Sequence, residues 1–223
     1  MSLLKLLIPA IIFFTPSIYT IDTLDKKSKE TEMNNKQDTM KQIINDDIQL
    51  LMSQEELMWP LAFSKTGLHG EVPVTLFRFE PNNSFELFAE HSSILINDKT
   101  NELQGFVRLR PQYNKNSPQV TKSEAESIMV NFISQYAPNL KNNYKIQWID
   151  SHDENIIINN QPIIIRGMKV KCRDLNTGLY FWTIIAPDAS IMVFEKDIKW
   201  DFIRAGRQTQ KWLHDEWLAK NNK

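Results

Sequence analysis

Cysteine is almost missing from this sequence, since Cys172 is the only one among 223 residues. A single thiol cannot close an intramolecular disulfide, and it cannot build a cysteine-based zinc site. The four histidines lie far apart in sequence, without the spacing of metal ligands: His69, His91, His152 and His214. A glycine-rich phosphate loop, an HExxH motif and a GxSxG motif are also missing. We therefore predict no metal, no cofactor and no catalytic residues.

The net charge is also small, because 26 Lys and Arg residues nearly balance 27 Asp and Glu residues, which gives −1 at pH 7. No overall field favours nucleic acid or an anionic membrane, and basic and aromatic residues do not alternate along any one predicted strand. We predict that nucleic acid is not a partner. With only 6 glycines and 10 prolines the chain is not a long flexible one, and its 42% hydrophobic content can bury one large core or two small ones.

The apolar run near the start of the sequence is short. Lys5 precedes Leu6 to Phe14, which has the length of the hydrophobic region of a signal peptide. A helix that spans a bilayer needs roughly 20 apolar residues. We predict that residues 1–20 are a signal peptide and that the protein is exported, to the periplasm or outside the cell. The alternative is an uncleaved anchor at residues 3–20, which would be the only membrane contact.

The polar segment at residues 21–38 is predicted to be a disordered linker. Residues 39–110 are predicted to form a first unit, in which apolar residues at helical spacing give a helix from Met40 to Met58. A turn around Gly67 and Gly70 is predicted to follow. Val72–Phe79 and Leu103–Leu109 each have the pattern of a strand, and Phe85–Ile96 has the pattern of one or two strands.

Residues 120–223 are predicted to form a second unit, which begins with a helix. Thr121 and Glu124 have the spacing of a capping box, and an apolar stripe follows them. Strands are then predicted at Tyr144–Ile149 and Ile163–Arg173.

The second of these strands has two different faces. Its basic side chains share one face, which we predict to be half-solvated: Lys169, Lys171 and Arg173. Cys172 falls on the other face. We therefore predict that its thiol is a small buried hydrophobic group rather than a reactive one.

The segment at residues 178–200 has the strongest β signal. Pro187 and Asp188 suit the second and third positions of a type I turn, so Leu179–Ile185 and Ile191–Phe194 are predicted to pair antiparallel. The first of these runs is apolar on both faces. Other parts of the chain are therefore predicted to cover it on both sides.

A helix, strands and a polar turn follow one another in the same order in both units. Asn97–Asn101 in the first unit aligns with Asp174–Gly178 in the second, and each segment ends in a residue that tolerates positive φ. This placement favours an internal duplication.

The second unit resembles the PepSY domain in a helix motif and a turn motif, Ser123-Glu124-Ala125-Glu126-x-Ile128 with Phe132-Ile133, and Asp174-x-x-Thr177-Gly178. The resemblance covers residues 120–195 well and residues 40–110 poorly, where Asn97 and Asn101 replace the usual Asp and Gly. It implies an exported module with a helix against an antiparallel sheet, which binds or inhibits peptidases. It provides no set of functional residues to transfer.

Residues 209–218 are predicted to be a C-terminal helix. Leu213 and Trp217 lie one turn apart, with Trp212 beside them. This helix either packs on the hairpin or presents Trp212 and Trp217 to a protein partner. The predicted fold is therefore α+β, with two tandem helix-on-antiparallel-sheet units, PepSY-like or cystatin-like, and a C-terminal helix.

Two clusters combine histidine with carboxylates, His152-Asp153-Glu154 and His214-Asp215-Glu216. We interpret both as exposed polar positions, one in a loop and one on a helix. His91 and Ser92 are also adjacent, but neighbouring residues of a strand face opposite sides, so they are not expected to act together.

The leading functional hypothesis is an exported, non-enzymatic envelope or secreted protein that binds and regulates a protein partner, for example as a peptidase-inhibitor-like module. One alternative is a hydrolase whose site is assembled from sequence-remote residues such as His91, Ser93 and Asp98. Another is a structural component of a surface assembly that associates through exposed Trp212 and Trp217.

Overall fold

The computed structural model describes residue 44 and residues 46–82, 84–201 and 206–222. The predicted leader and linker lie outside the described residues. The helices are α1 (Asp46–Gln49), α2 (Lys122–Tyr136) and α3 (Asp215–Asn221). The strands are β1 (Leu61–His69), β2 (Val72–Phe79), β3 (His91–Asn97), β4 (Leu103–Leu109), β5 (Tyr144–Ile158), β6 (Gln161–Asp174), β7 (Tyr180–Ile185), β8 (Ile191–Ile198), β9 (Trp200–Asp201) and β10 (Gly206–Arg207).

Eight of these strands form one antiparallel sheet in the order β1-β2-β3-β4-β8-β7-β6-β5. The predicted α+β class is therefore confirmed. Two runs of four consecutive strands meet in the middle of the sheet, where Gly105 of β4 pairs with Glu195 of β8 and Val107 pairs with Val193. The β9 and β10 strands pair only with each other.

The predicted hairpin is confirmed as β7 and β8, in which Thr183 pairs with Phe194. The backbone N–H of Ala189 donates to the carbonyl of Ala186 at 3.0 Å, which closes the turn around Pro187 and Asp188. Every residue of β7 is buried. The hairpin is therefore covered on both faces, as predicted.

One face of the sheet, here called the helix face, is covered by α2 and by the segment that contains α1. The α2 helix buries Ala125, Met129, Phe132 and Ile133. The ring of Phe132 meets that of Phe194 edge to face, with 4.9 Å between the centroids. This geometry is favourable for two aromatic rings and places α2 over the central hairpin.

Two further predictions on the helix face are confirmed. The Thr121 side chain accepts a hydrogen bond from the Glu124 backbone, and the Glu124 side chain accepts one from the Thr121 backbone, which completes the capping box. Cys172 is fully buried, and burial raises the pKa of its thiol to about 12. Its thiolate, the reactive form, is therefore strongly disfavoured.

The opposite face, here called the C-terminal face, is covered by the segment from Thr209 to Asn221. Two glycines make room for it, because a Cβ on Gly67 would lie 2.6 Å from the Trp212 ring and a Cβ on Gly105 would lie 2.8 Å from Leu213. The indole N–H of Trp212 also donates to the carbonyl of Leu68 at 3.0 Å. The C-terminal segment thus packs directly on the sheet backbone.

The predicted helix from Met40 to Met58 is wrong beyond Gln49, where α1 ends. A short 3-10 turn follows near Glu56. The Glu56 carboxylate accepts a hydrogen bond from the Ser53 backbone at 2.6 Å and another from Arg108 of β4. Pairing with the sheet therefore fixes this segment as a series of turns instead of one helix. Residues before Ile44 lie outside the described residues.

The position of Gly67 was also predicted wrongly. It was assigned to a turn, but it lies inside β1 opposite Val74, and the turn is made at Gly70, which has a φ of 63°. Glycine occurs within this strand because the Trp212 ring fills the space of a side chain. The sequence spacing alone cannot show that contact.

The remaining strand and helix bounds differ at their ends. β3 begins at His91 instead of Phe85, since Phe85 and Phe88 have φ values of 34° and 66° that interrupt a strand. β5 and β6 are longer than predicted and form one extended hairpin. The C-terminal helix begins only at Asp215, after a non-helical stretch that crosses the sheet.

Substituting Gly67 tests the docking of the C-terminal segment. We expect Gly67→Ala to lower the free energy of unfolding by about 1–3 kcal/mol, because the new methyl group overlaps the Trp212 ring. Leu68→Ala, at the exposed neighbouring position, is the control and is expected to change it by less than about 0.5 kcal/mol. Urea unfolding measures both variants. Equal stability of the two would contradict tight packing of Trp212 on β1.

Candidate functional site

A cavity of about 420 Å³ opens on the C-terminal face. Its apolar floor includes Val107 and Leu109 of β4 and Val193 of β8. One wall is formed by His152–Asn155 of β5, and the other by residues of the C-terminal segment between Lys211 and Lys220. The cavity is therefore lined both by strands from the centre of the sheet and by a strand from its edge.

The edge strand reaches this cavity because the long β5–β6 hairpin curls over the sheet. The backbone N–H of Ile157 donates to the carbonyl of Phe88 at 2.7 Å, and the carbonyl of Ile164 accepts from the Lys115 backbone at 3.2 Å. The first bond holds the end of the hairpin against the loop between β2 and β3, and the second holds it against the segment between β4 and α2. The two histidine clusters that the sequence separates are thereby brought to one cavity.

Each cavity histidine is oriented by a carboxylate. The Nε2 atom of His152 lies 2.9 Å from a Glu154 oxygen, and that of His214 lies 3.1 Å from a Glu195 oxygen. Both histidine side chains are about one third exposed, with values of 33% and 36%. The interpretation of both clusters as exposed polar positions holds only in part: Asp153 and Glu216 are exposed, but Asp215 is buried, and the first cluster lies in β5 instead of a loop. Glu195 was not predicted as a site residue, because nothing in the sequence distinguishes it from the other charged residues that follow the apolar run Ile191–Phe194.

Glu195 is buried, and its other oxygen accepts a hydrogen bond from Arg207 at 2.6 Å. Burial alone would raise the pKa of this carboxyl, but the charges and hydrogen bonds of His214 and Arg207 outweigh burial and hold the pKa far below its usual range. Glu195 is therefore a fixed negative charge behind His214. The arrangement restricts the orientation of that imidazole.

A second buried ion pair fixes α3 against the sheet. Arg78 of β2 has no solvent exposure, and its guanidinium donates to Asp215 at 2.5 Å and to Glu80 at 2.6 Å. Asp215 also accepts a hydrogen bond from the Phe88 backbone. Removing one partner of such a pair typically costs about 3–5 kcal/mol, because the other charge is left buried. Asp215 is therefore a structural member of the cavity wall.

His91 lies near this ion pair and is fully buried. Its Nδ1 donates to the carbonyl of Ala89 at 2.9 Å, and its buried Nε2 has no hydrogen-bond partner among the described residues. Burial, with the nearby charge of Arg78, lowers the pKa of His91 to about 4. The imidazole is therefore neutral near pH 7 and is closed off from substrate.

The hydrolase site suggested by the sequence is not assembled. His91 begins β3 and Asp98 follows its end, so they are roughly 23 Å apart along the extended strand. Asp98 instead accepts a hydrogen bond from Thr75 at 2.7 Å. Ser93 lies opposite Arg78 and is buried. These three residues do not form a catalytic group.

A second feature of the C-terminal face is a group of cations and rings, here called the lysine-aromatic cluster. Lys171 of β6 lies beside three of the rings, with its ammonium 5.0 Å from the ring centroid of Tyr180, 5.1 Å from Trp200 and 5.8 Å from Trp148. Burial lowers the pKa of Lys171. Such contacts attract a cation to the faces of the rings.

Lys169 completes the cluster, with its ammonium 4.2 Å from the ring centroid of Trp182 and 6.0 Å from Trp148. Burial lowers its pKa to about 8, although the charges of Glu195 and Glu154 act in the opposite direction. Lys169 and Lys171 are both half-buried beneath these aromatic rings, so the prediction that this face of β6 is half-solvated is confirmed. Arg173 is exposed, as predicted.

The cluster could not be found by scanning single strands. Trp148 belongs to β5, the lysines to β6, Tyr180 and Trp182 to β7, and Trp200 to β9. Cations and rings therefore alternate from one strand to the next across the sheet, and not along any single strand. The signal in the sequence is the pairing of Trp148 with Lys171 and of Lys171 with Trp182, which requires the strand register.

The two tryptophans proposed for partner binding have different surroundings. Trp212 is only 4% exposed, so the prediction that it presents an exposed ring is wrong. Trp217 is half-buried, lines the cavity, and lies 5.0 Å from the Trp212 ring centroid. Association through a surface formed by both rings is therefore not favoured.

No family model and no curated protein matches the sequence, and no solved structure matches the fold. The PepSY resemblance therefore stays a prediction. Among the described residues, no helix has the length and apolar content needed to cross a bilayer, and no group of three or more His, Cys, Asp or Glu side chains is placed to hold a metal ion.

The buried imidazole predicts a pH dependence of stability. Because folding lowers the pKa of His91 from 6.5 to about 4, the unfolded chain binds a proton first as the pH falls. Stability is therefore fully present above pH 6.5, and about 3 kcal/mol of it is lost between pH 6.5 and 4.

We expect His91→Asn, which keeps a donor for Ala89, to lose less stability over this interval. Urea unfolding at a series of pH values measures the difference between the two proteins. Burial also lowers the pKa of His69. Because His69 is present in both proteins, its contribution to the pH dependence of stability cancels in the comparison. Parallel pH profiles would show that His91 does not titrate as described.

Proposed function

We propose that this protein is an exported, non-enzymatic binding and regulatory module that holds an extended segment of a protein partner along β5. The single feature that carries the proposal is the outer edge of this strand, which is fifteen residues long. An unpaired strand edge offers backbone donors and acceptors to an incoming chain.

Most of the β5 edge is open within the described part of the chain. There, its only backbone-to-backbone hydrogen bond beyond β6 is the one from Ile157 to Phe88, near the end of the strand. Trp148 is 44% exposed and offers a side-chain anchor beside that edge. Tryptophan is enriched among residues that dominate binding energies.

The same edge has features that discourage indiscriminate pairing. A register shift lies between Ile146 and Trp148, and charged residues recur along the strand, including Asp150 and Asp153. Bulges and charges are the devices by which edge strands avoid aggregation. A partner must therefore match both the register and the charge pattern, which favours a specific segment over self-association.

The proposed class of partner follows from the resemblance to PepSY modules, which implies a peptidase. The tandem arrangement, PepSY-like or cystatin-like, is supported by the two runs of four strands that meet at β4 and β8. It is also supported by the two predicted turns, where Asn97 accepts from the Lys99 backbone and Asp174 accepts from the Asn176 backbone. Asn101 and Gly178 both have positive φ.

We propose that the protein is exported, to the periplasm or outside the cell, because residues 1–20 have the composition of a signal peptide. The alternative is anchoring by residues 3–20. Cell fractionation combined with mass spectrometry of the mature N-terminus separates the two possibilities. An intact N-terminus found in the cytoplasmic fraction contradicts both.

Binding at β5 predicts a specific pattern of hydrogen exchange. In a complex with a partner captured from envelope extracts, we expect slower exchange of β5 amides and no change in β1, the opposite edge. Trp148→Ala is expected to weaken the complex about tenfold or more, as loss of an interface anchor does. Leu68→Ala removes an exposed side chain from β1 and is the matched control. Protection of β1 alone would exclude the proposed edge.

A second candidate function is hydrolysis in the cavity, since His152 and His214 are each oriented by a carboxylate. None of the described residues that line the cavity is Ser, Thr or Cys, so water would be the nucleophile. This is a site assembled from sequence-remote residues, although not from those suggested by the sequence.

Chromogenic esters, phosphodiesters and glycosides test this candidate. If it is correct, the purified protein hydrolyses one class, and His214→Gln lowers the rate at least about 100-fold, the usual contribution of a general acid or base. His69→Gln, which changes a histidine away from the cavity, leaves the rate unchanged. A rate that does not respond to His152→Gln or His214→Gln excludes catalysis by these imidazoles.

A further inference from the structure

The lysine-aromatic cluster holds two ammonium groups that lack a carboxylate partner. Among the described residues, neither Lys169 nor Lys171 has an acidic oxygen within the 4.0 Å of a salt bridge. Both are desolvated enough to lower their pKa values. Burying a cation without a counterion is costly, and rings recover only part of that cost.

The two carboxylates whose charges act on Lys169 already pair with other side chains. Glu195 accepts from Arg207 and pairs with His214, and Glu154 pairs with His152. Asp150 lies directly opposite Lys169 in the β5–β6 ladder but forms no ion pair with it among the described residues. An anion from outside the chain would therefore be the first close counterion for the two lysines.

Neighbouring side chains strengthen the positive charge. Lys145 pairs with Arg173, and Trp148 pairs with Lys171, so these four side chains project from the same face of β5 and β6. Trp148 and Trp200 remain 44% and 37% exposed on either side of Lys171. Their rings can shield an incoming anion from water, which strengthens its attraction to the ammonium groups.

We propose that the lysine-aromatic cluster is an anion site that binds acidic side chains of the extended segment held along β5. The inference rests on the proposed function and specifies the chemistry of the partner. A strand added beside β5 would lie about 4.8 Å away from it, and every second side chain would fall on the face that carries Trp148 and the lysines. A Glu side chain at such a position reaches toward Lys171 across Trp148.

A nucleic acid fits this surface less well than a peptide. A phosphate backbone carries a charge at every step, whereas the same face of β5 continues beyond Trp148 with Asp150, His152 and Glu154. The carboxylates of Asp150 and Glu154 would repel a continuous polyanion. A peptide can place one or two acidic side chains at the lysines and neutral or basic ones farther along the strand.

Synthetic peptides of equal length test the charge preference. They alternate Thr with Gln, except that two neighbouring Gln positions are Glu in the Thr-Glu peptide and Lys in the Thr-Lys peptide, and a short oligothymidylate is the nucleic acid probe. Tryptophan fluorescence titration measures affinity, and hydrogen exchange locates the bound peptide. We expect the Thr-Glu peptide to bind most tightly and to protect amides of β5.

Lysine variants link that preference to the cluster. We expect Lys169→Met and Lys171→Met each to weaken binding of the Thr-Glu peptide about tenfold, the factor contributed by one charged hydrogen bond, without weakening the Thr-Gln peptide. Lys171→Arg keeps the charge and is expected to keep the preference. Lys122→Met, at an exposed position on α2, is the matched control. Circular dichroism verifies that each variant folds.

The outcomes separate the anion site from the proposed function. Equal binding of the Thr-Glu and Thr-Gln peptides with protection of β5 overturns the anion site and leaves strand addition standing. Tighter binding of the oligothymidylate overturns the peptide as occupant. Lysine-dependent binding without protection of β5 overturns the placement of the segment, and failure of the Thr-Glu peptide to bind overturns the inference entirely.

Discussion

Docking of the C-terminal segment on the sheet is the constraint on which the other features depend. The Trp212 ring fills the space left by Gly67, and the buried Arg78–Asp215 pair fixes the start of α3. Without this segment, the apolar side chains on the second face of the sheet would be open to water. The same docking places His214 against Glu195 and builds one wall of the cavity. Stability and the candidate site therefore share the same contacts.

The long β5–β6 hairpin provides the second half of the arrangement. It is at the edge of the sheet, yet its end bonds to the loop between β2 and β3, so it curls toward the C-terminal segment. This curl closes the cavity on one side and leaves the outer edge of β5 accessible on the other. The lysines of β6 lie between these two features. A ligand at the β5 edge would consequently be close to both the aromatic rings and the cavity.

Many local elements could be predicted because short-range physics decides them. The capping box at Thr121, the turn at Pro187 and the inward position of Cys172 each depend on residues within a few positions of one another. Elements whose conformation depends on distant partners were predicted wrongly. Gly67 is in a strand because of Trp212, and the first helix stops at Gln49 where the chain turns toward Arg108.

By itself, the sequence determined the class of fold, the central hairpin, the α2 helix and the buried position of its one thiol. Only the tertiary structure decided which residues share a site. Strand order brought Trp148, Lys171 and Trp182 side by side, and the curl of the hairpin brought His152 and His214 to one cavity. The physical reason is that side-chain periodicity reports which face a residue occupies, whereas register and long-range packing determine which faces meet.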